Sequence, residues 1–270
     1  DMYFDTYFWL KSWDAVDADL EFVWYKNKRV KIKNFFNIAY FMLLNPKNQN
    51  DILQSFELEF EYENKPINRF HTPSEQVDKS SLLKNLEKEI SEIKDCELKK
   101  NSNKLVFSDG DFNSSIMIVG EGPGQREDEL GKPFVGEAGL LLNKMLKAIN
   151  VERNKVYITN VVNFRPPNNR KPEKSEIIKY SYYLRKHISI INPKILILLG
   201  STAMESLLGS NVKISKIRGT WKEIIINDKV YNSIVTFHPA YLLRQPEQKK
   251  YSWLDLKVIK KKIDLLNIKL

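Results

Sequence analysis

Four short segments combine residue types able to do chemistry with the glycines and prolines that hold such residues in fixed turns. The first, Gly120-Glu121-Gly122-Pro123-Gly124-Gln125-Arg126-Glu127-Asp128, has to be weighed first as a phosphate-binding loop. It lacks the Lys and Ser/Thr of a P-loop, and its glycine spacing is not that of a dinucleotide fingerprint. Its acids, Glu121, Glu127, Asp128 and the following Glu129, would repel a phosphate. A tight turn explains the glycines but not the acids. Small residues let a backbone approach a flat ligand, and carboxylates there orient water or accept hydrogen bonds.

The second segment, Lys132-Pro133-Phe134-Val135-Gly136, puts an aromatic ring among Pro and Gly. Phe134 taken alone reads first as a core aromatic, and its placement among Pro and Gly directly after the acidic loop offers a platform for stacking. In the third, Asn160 is followed by Arg165-Pro166-Pro167-Asn168-Asn169-Arg170. An Asn at a strand end is commonly a turn residue. Its amide nevertheless presents a donor and an acceptor side by side, as reading a nucleobase edge requires. Arg165 and Arg170, held between prolines, suit phosphate contacts. The fourth, Phe237-His238-Pro239-Ala240-Tyr241-Leu242-Leu243-Arg244, contains one of only three histidines in the chain. A lone His is more often structural than catalytic. Apolar wedges beside a phosphate-binding Arg, however, recur where proteins push into a base stack.

These segments need elements to position them. Short β-rich apolar runs at 116–119, 156–159, 195–199 and 234–236 alternate with helical patterns, the signature of an α/β sheet. Leu142, Met145, Leu146 and Ile149 recur at helical spacing between the first two runs, and Leu82, Leu83, Leu86, Ile90 and Ile93 do so upstream. Thr202 with Glu205 reads as a capping box opening a further helix. Each apolar run ends at a distinctive element: Gly120 with Glu121, Asn160, Gly200 and His238. In an open parallel sheet, ligands bind outside the carboxyl ends of the strands, so three of these four elements are expected to converge on one crevice. Residues 1–58 are aromatic-rich and without clear period, and are read as a small helical accessory region. A polar, Pro-containing stretch near 64–81 reads as a linker, so the division expected is 1–80 accessory region and 81–270 catalytic domain.

Composition sets the outer bounds. There are 43 Lys and Arg against 34 Asp and Glu, a formal charge of +9 that favours polyanionic partners. The single cysteine, Cys96, excludes an intramolecular disulfide framework and suits a reducing cytoplasm. The start of the sequence lacks the pattern of a signal peptide. The longest mostly apolar run, 35–44, is too short to span a bilayer.

In this order, the segments resemble family 4 uracil-DNA glycosylases, and the likeness covers roughly residues 82–260. It rests on the Gly-Glu-Gly-Pro-Gly from 120, Glu127-Asp128, Lys-Pro-Phe-Val-Gly from 132, Asn160 with Arg-Pro-Pro-Asn-Asn-Arg from 165, Arg218-Gly-Thr-Trp, and His-Pro-Ala-Tyr-Leu-Leu-Arg from 238. The resemblance implies a central four-stranded parallel sheet flanked by helices, with no catalytic metal. It also implies an enzyme of base-excision repair that flips uracil out of single- or double-stranded DNA and hydrolyses its N-glycosidic bond. By that analogy Phe134 stacks on the base, Asn160 reads its edge and His238 stabilises the leaving anion. Glu121, Gly122, Pro123 and Glu127 complete the pocket, Leu242 fills the vacated stack, and Arg165, Arg170 and Arg244 hold the backbone. Gly122 stands where another family of the superfamily carries a water-positioning aspartate. Glu121 is therefore the first choice for orienting water and Glu127 the second. A monomer off the membrane is expected.

One departure is expected. Many family 4 enzymes hold an iron–sulfur cluster on four cysteines, and the matching positions here are Ile93, Cys96, Phe164 and Tyr180, so the cluster is expected to be lost. Two other readings compete: a catalytically inactive DNA-binding relative that acts with replication proteins, and a metal-dependent nuclease built on Glu121, Glu127 and Asp128.

Overall fold

The alternation of apolar runs and helical stretches builds a six-stranded sheet between two layers of helices. The structure, a computed structural model, describes residues 78–209 and 212–268 in full, and the backbone of three short strands near the start of the chain. The chain divides into two units, Asp1–Glu75 and Gln76–Leu270.

In the first unit, β1 (Trp13–Val16), β2 (Phe22–Tyr25) and β3 (Lys28–Lys31) form an antiparallel sheet in that order, with Val23 opposite Val30 and Trp24 opposite Arg29. A helical accessory region was expected, and these segments correct it. Their aromatic and β-branched residues fit a pleated surface, and no apolar stripe repeats at 3.6 residues. The 35–44 run lies outside the described residues.

The second unit opens with α1 (Lys79–Ser91), capped by the Asp78 carboxylate accepting from Ser80 N at 3.0 Å and burying Leu83, Leu86 and Ile90, and with the short α2 (Glu97–Lys100). The large sheet follows: β4 (Asp109–Gly110), β5 (Ile116–Gly120), β6 (Tyr157–Asn160), β7 (Ile195–Leu199), β8 (Trp221–Ile226) and β9 (Lys229–Thr236). Their spatial order is β4-β6-β5-β7-β9-β8. The four expected strands are the parallel centre, β6-β5-β7-β9. The expected count of four is corrected to six by an antiparallel strand at each edge. β4 is two polar residues long, too short to show a period. β8 was missed although Asn227-Asp228, both at positive φ (48° and 58°), link it to β9 as a tight hairpin.

Strand β5 shows how the layers form. Ile116 and Ile118 join the apolar cluster of one face while Met117 and Val119 join that of the other, because successive strand side chains point to opposite sides. On the Met117 side lie α1, α5 (Lys174–Ile191) and α6 (Gly200–Leu208). On the Ile116 side lie α4 (Glu137–Lys147), α8 (Pro239–Arg244) and α9 (Lys249–Leu265). The short α3 (Gln125–Leu130) and α7 (Ile214–Ile217) complete the helices of this unit. The chain leaves β5 toward β6, then returns to β7 on β5's other side. This is the topological switch that opens a crevice at the strand ends.

Candidate active site

A cavity of about 660 Å³ opens at the carboxyl ends of β5, β6, β7 and β9. Glu121, Gly122, Pro123, Glu127, Phe134, Asn160, Gly200 and His238 all line it. Of the expected residues at its mouth, Arg170 and Arg244 line it as well, whereas Arg165 and Leu242 do not.

Two of these side chains are left wanting partners. Asn160 sits at the end of β6, in register with Gly120, and its Oδ1 is buried with no hydrogen bond. A Cβ on Gly120 would collide with that oxygen and with the Phe134 ring, so glycine here is the space in which the amide and the ring meet. His238 caps α8, and its Nδ1 accepts from Ala240 N at 3.2 Å. An accepting Nδ1 leaves the ring proton on Nε2. That Nε2 is also buried and unpartnered. The ring stacks against Phe134, with centroids 5.5 Å apart.

Burial, and to a lesser degree the Arg244 charge, hold the His238 pKa down to about 4, so the ring is neutral at pH 7. His187, sealed in the core with Nε2 2.5 Å from the Tyr157 hydroxyl, is held down to about 3 by burial. The unfolded chain protonates both near pH 6.5. Their folded pKa values are depressed, so the stability they contribute is present above about pH 6.5 and is lost as pH falls toward 4. Between pH 6 and 5, before most carboxylates titrate, we expect a loss of about 1 kcal/mol per histidine. Urea midpoints measured against pH check this, and a flat profile over that interval would contradict it.

Phe134 adopts φ 53°, uncommon for a bulky residue, and two long-range contacts hold it there. Glu127 Oε1 accepts from Val135 N at 2.8 Å and Gly136 N at 2.7 Å. Arg153 donates to Pro133 O at 2.7 Å, Phe134 O at 3.0 Å and Asn143 Oδ1 at 3.0 Å, and its Nε donates to Asp109 at 2.9 Å. Nothing in the sequence singled out Arg153, which reads as an ordinary charge between a helix and a strand.

The acids of the first segment separate. Glu121 faces the cavity with Oε2 held by the Thr202 hydroxyl. This corrects the expected capping box. α6 begins at Gly200 with no side-chain cap, and Thr202 is spent on Glu121. Asp128 is buried and turned away, accepting from Asn103 N and Nδ2 at 2.8 and 2.7 Å and from Lys104 N at 3.1 Å. Among the described residues no three His, Cys, Asp or Glu side chains gather as a metal site, so the nuclease reading loses its ligand set.

The rim also differs from expectation. Leu242 is 1% exposed, packed beneath α8 in the core, while Leu243 is 41% exposed. On a short helix successive residues face different directions, and the expected wedge position fell on the inward one. Arg170 pairs in bidentate fashion with Glu176 at 2.7 and 2.8 Å, and Arg165 Nε donates to Asn169 at 2.8 Å. Arg244 is exposed at the mouth.

Ile93, Cys96, Phe164 and Tyr180 are all buried in one apolar cluster, with Cys96 Sγ 3.3 Å from the Tyr180 hydroxyl. With a single thiol among four positions, this donor set does not fit an iron–sulfur cluster.

Comparison with known proteins agrees with this architecture. The family model of the uracil-DNA glycosylase superfamily matches residues 107–260. The chain is 40% identical to the type-4 uracil-DNA glycosylase of Thermotoga maritima over 167 residues, 62% of this chain and 85% of that protein. It is 41% identical to the type-4 enzyme of Sulfurisphaera tokodaii over 66% of this chain and 83% of that protein. It is 36% identical to that of Archaeoglobus fulgidus over 66% and 91%. A strand-end cavity with an unpartnered amide and imidazole, together with similarity spanning most of the length of these relatives, shows that the chain belongs to the uracil-DNA glycosylase superfamily, among its type-4 members.

Proposed function

We propose that the protein is a uracil-DNA glycosylase of base-excision repair that draws uracil out of DNA into this cavity and hydrolyses its bond to deoxyribose. The observation that carries this is the pair of buried, unpartnered polar atoms, Asn160 Oδ1 and His238 Nε2, beside the Phe134 ring in one cavity. Buried polar atoms without partners are costly, so such atoms in a cavity point to a ligand that satisfies them.

Asn160 Oδ1 accepts from uracil N3–H while its amide donates to O4, and Phe134 stacks on the base. Water forms a bond to C1′ as the C1′–N1 bond breaks, the electron pair leaves on uracil, and the water's surplus proton passes to the Glu121 carboxylate and from there to solvent or the uracil anion. His238 Nε2–H donates to O2, where that negative charge develops. A neutral donor suits this task, because the proton remains on the imidazole throughout. Glu121 orients the water: Thr202 occupies Oε2 and leaves Oε1 available, whereas Glu127 Oε1 is committed to the Phe134 loop. Arg244 meets phosphate. We further propose that the protein acts as a monomer on single- and double-stranded DNA in the cytoplasm, and that it holds no iron–sulfur cluster. The lone buried cysteine supports the absence of a cluster and a reducing compartment, and the +9 charge supports a polyanionic partner.

A single-uracil oligonucleotide incubated with the protein in EDTA, then treated with alkali, is expected to break at the uracil. No alkali-labile site at enzyme excess would overturn the enzyme reading in favour of a DNA-binding relative. The same preparation is expected to be colourless; stoichiometric iron with broad absorbance near about 400 nm would restore the cluster.

For the wedge, we propose Leu243. Leu243→Ala is expected to leave stability unchanged and to slow release from duplex more than from single strands. Leu242→Ala is expected to cost about 2–5 kcal/mol of stability without strand preference. Urea melts and the duplex to single-strand rate ratio separate the two. A selective duplex defect in Leu242→Ala at full stability would return the wedge to Leu242.

A further inference from the structure

Helix α9 carries a surface feature that the cavity chemistry does not use. Lys250, Trp253, Lys257 and Lys261 are spaced i, i+3, i+7 and i+11, so they share one face of the helix, and all four are exposed, Trp253 at 45%. Tyr251 and Leu254 flank them, also exposed. An indole left in water among lysines makes no contribution to the core. The one acid within this stretch of the helix, Asp255, is buried and bound by Arg218 and Thr236, so the face is uniformly positive.

This face is linked to the cavity along its Lys250 edge. Phe237 lines the cavity and packs on Tyr241, with centroids 5.1 Å apart. The Arg218 guanidinium lies 5.3 Å from the Phe237 ring centre and 5.3 Å from that of Tyr251, and Lys250 Nζ lies 5.0 Å over the Tyr251 ring. A ladder of rings and cations therefore runs from the cavity wall to the exposed helix. The Arg218-Gly219-Thr220-Trp221 motif, which the uracil chemistry leaves without a task, supplies its middle rung.

We infer that this face of α9 binds the DNA strand flanking the excised nucleotide, with Trp253 stacking on an unpaired base and Lys250 and Lys257 meeting phosphates. The inference rests on the uracil-glycosylase reading of the cavity for its ligand. Alternating rings and cations are the chemistry of single-strand binding, since every base offers a face to stack and the backbone a regular charge. A base paired in duplex has no free face. The contribution is therefore expected on single-stranded flanks.

The test uses the full chain and single-stranded oligonucleotides carrying one uracil, with either long or minimal flanks. Binding is read by fluorescence anisotropy across a salt series. On long flanks Trp253→Leu is expected to weaken binding about tenfold while Trp253→Phe retains it, because stacking needs a ring. The double variant Lys250→Gln, Lys257→Gln is expected to lower the slope of log affinity against log salt by about 1.4, near 0.7 for each phosphate contact on a single strand. Turnover of the minimal substrate at saturation should match wild type for all three. Unchanged affinity and slope on long flanks would overturn the inference, as would equal losses on minimal and long substrates. Wild-type protein that releases no uracil, while the variants still lose affinity for long strands, would keep this surface and overturn the reading of the cavity.

Discussion

Replacing His238 with asparagine is expected to slow uracil release by about 10²–10³-fold while DNA affinity changes only a few-fold, the loss typical of one donor to a developing oxyanion. The donor's partner charge exists mainly in the transition state, so the deficit belongs in kcat rather than in KM. Asparagine is the informative replacement because it can still cap α8, as the imidazole does through Ala240 N. Alanine would mix the lost donor with the lost cap. The pH profile supplies a second readout. Burial holds the His238 pKa down to about 4, so wild-type kcat should show no inflection at pH 6.5 from this ring. Single-turnover rates with separately measured binding decide the point. A loss of affinity equal to the loss of rate would make His238 a structural residue.

Asn160→Asp is expected to relax the discrimination between uracil and cytosine. Cytosine release should become measurable, because the wild-type amide meets cytosine with two mismatched hydrogen bonds at roughly 1–3 kcal/mol each and the carboxyl does not. Asn160 lies buried at the end of β6, and burial favours the neutral form of a carboxyl placed there. A neutral carboxyl donates from O–H to cytosine N3 and accepts from its N4 amino group. With its proton on the other oxygen the same carboxyl accepts from uracil N3–H and donates to O4, so both bases are admitted. The replacement keeps the side-chain shape, so Gly120 and Phe134 still accommodate it. Paired assays on uracil- and cytosine-containing single strands check the ratio. A fall on uracil with cytosine untouched would remove Asn160 from base readout.

Much of this was legible in residues close together along the chain. Strands such as Ile195–Leu199 declare themselves by unbroken apolar runs, and helix α4 by the recurrence of Leu142, Met145 and Leu146, because burial on a sheet or a helix face imposes a period on neighbouring residues. That elements such as Glu121, Asn160, Gly200 and His238 meet was legible for three of the four, since parallel strands deliver their carboxyl ends to one edge of a sheet, and the structure brings all four to the cavity. The β8–β9 hairpin is marked too, by Asn227-Asp228 between two β-rich runs.

What stayed hidden was every assignment made by a distant partner. Thr202 holds Glu121 rather than capping its own helix, Arg153 fixes the backbone of Phe134, Asp128 turns to Asn103, and Glu176 occupies Arg170. Leu242 and Leu243 are identical in type and adjacent, yet one fills the core and the other meets solvent. The sequence by itself determined which residue types lie at the strand ends and how far apart along the chain they fall. Only the tertiary structure decided where each side chain is spent. A hydrogen bond or a packing contact depends on direction and on a partner that may lie 81 residues away, as Thr202 does from Glu121, and no local period records either.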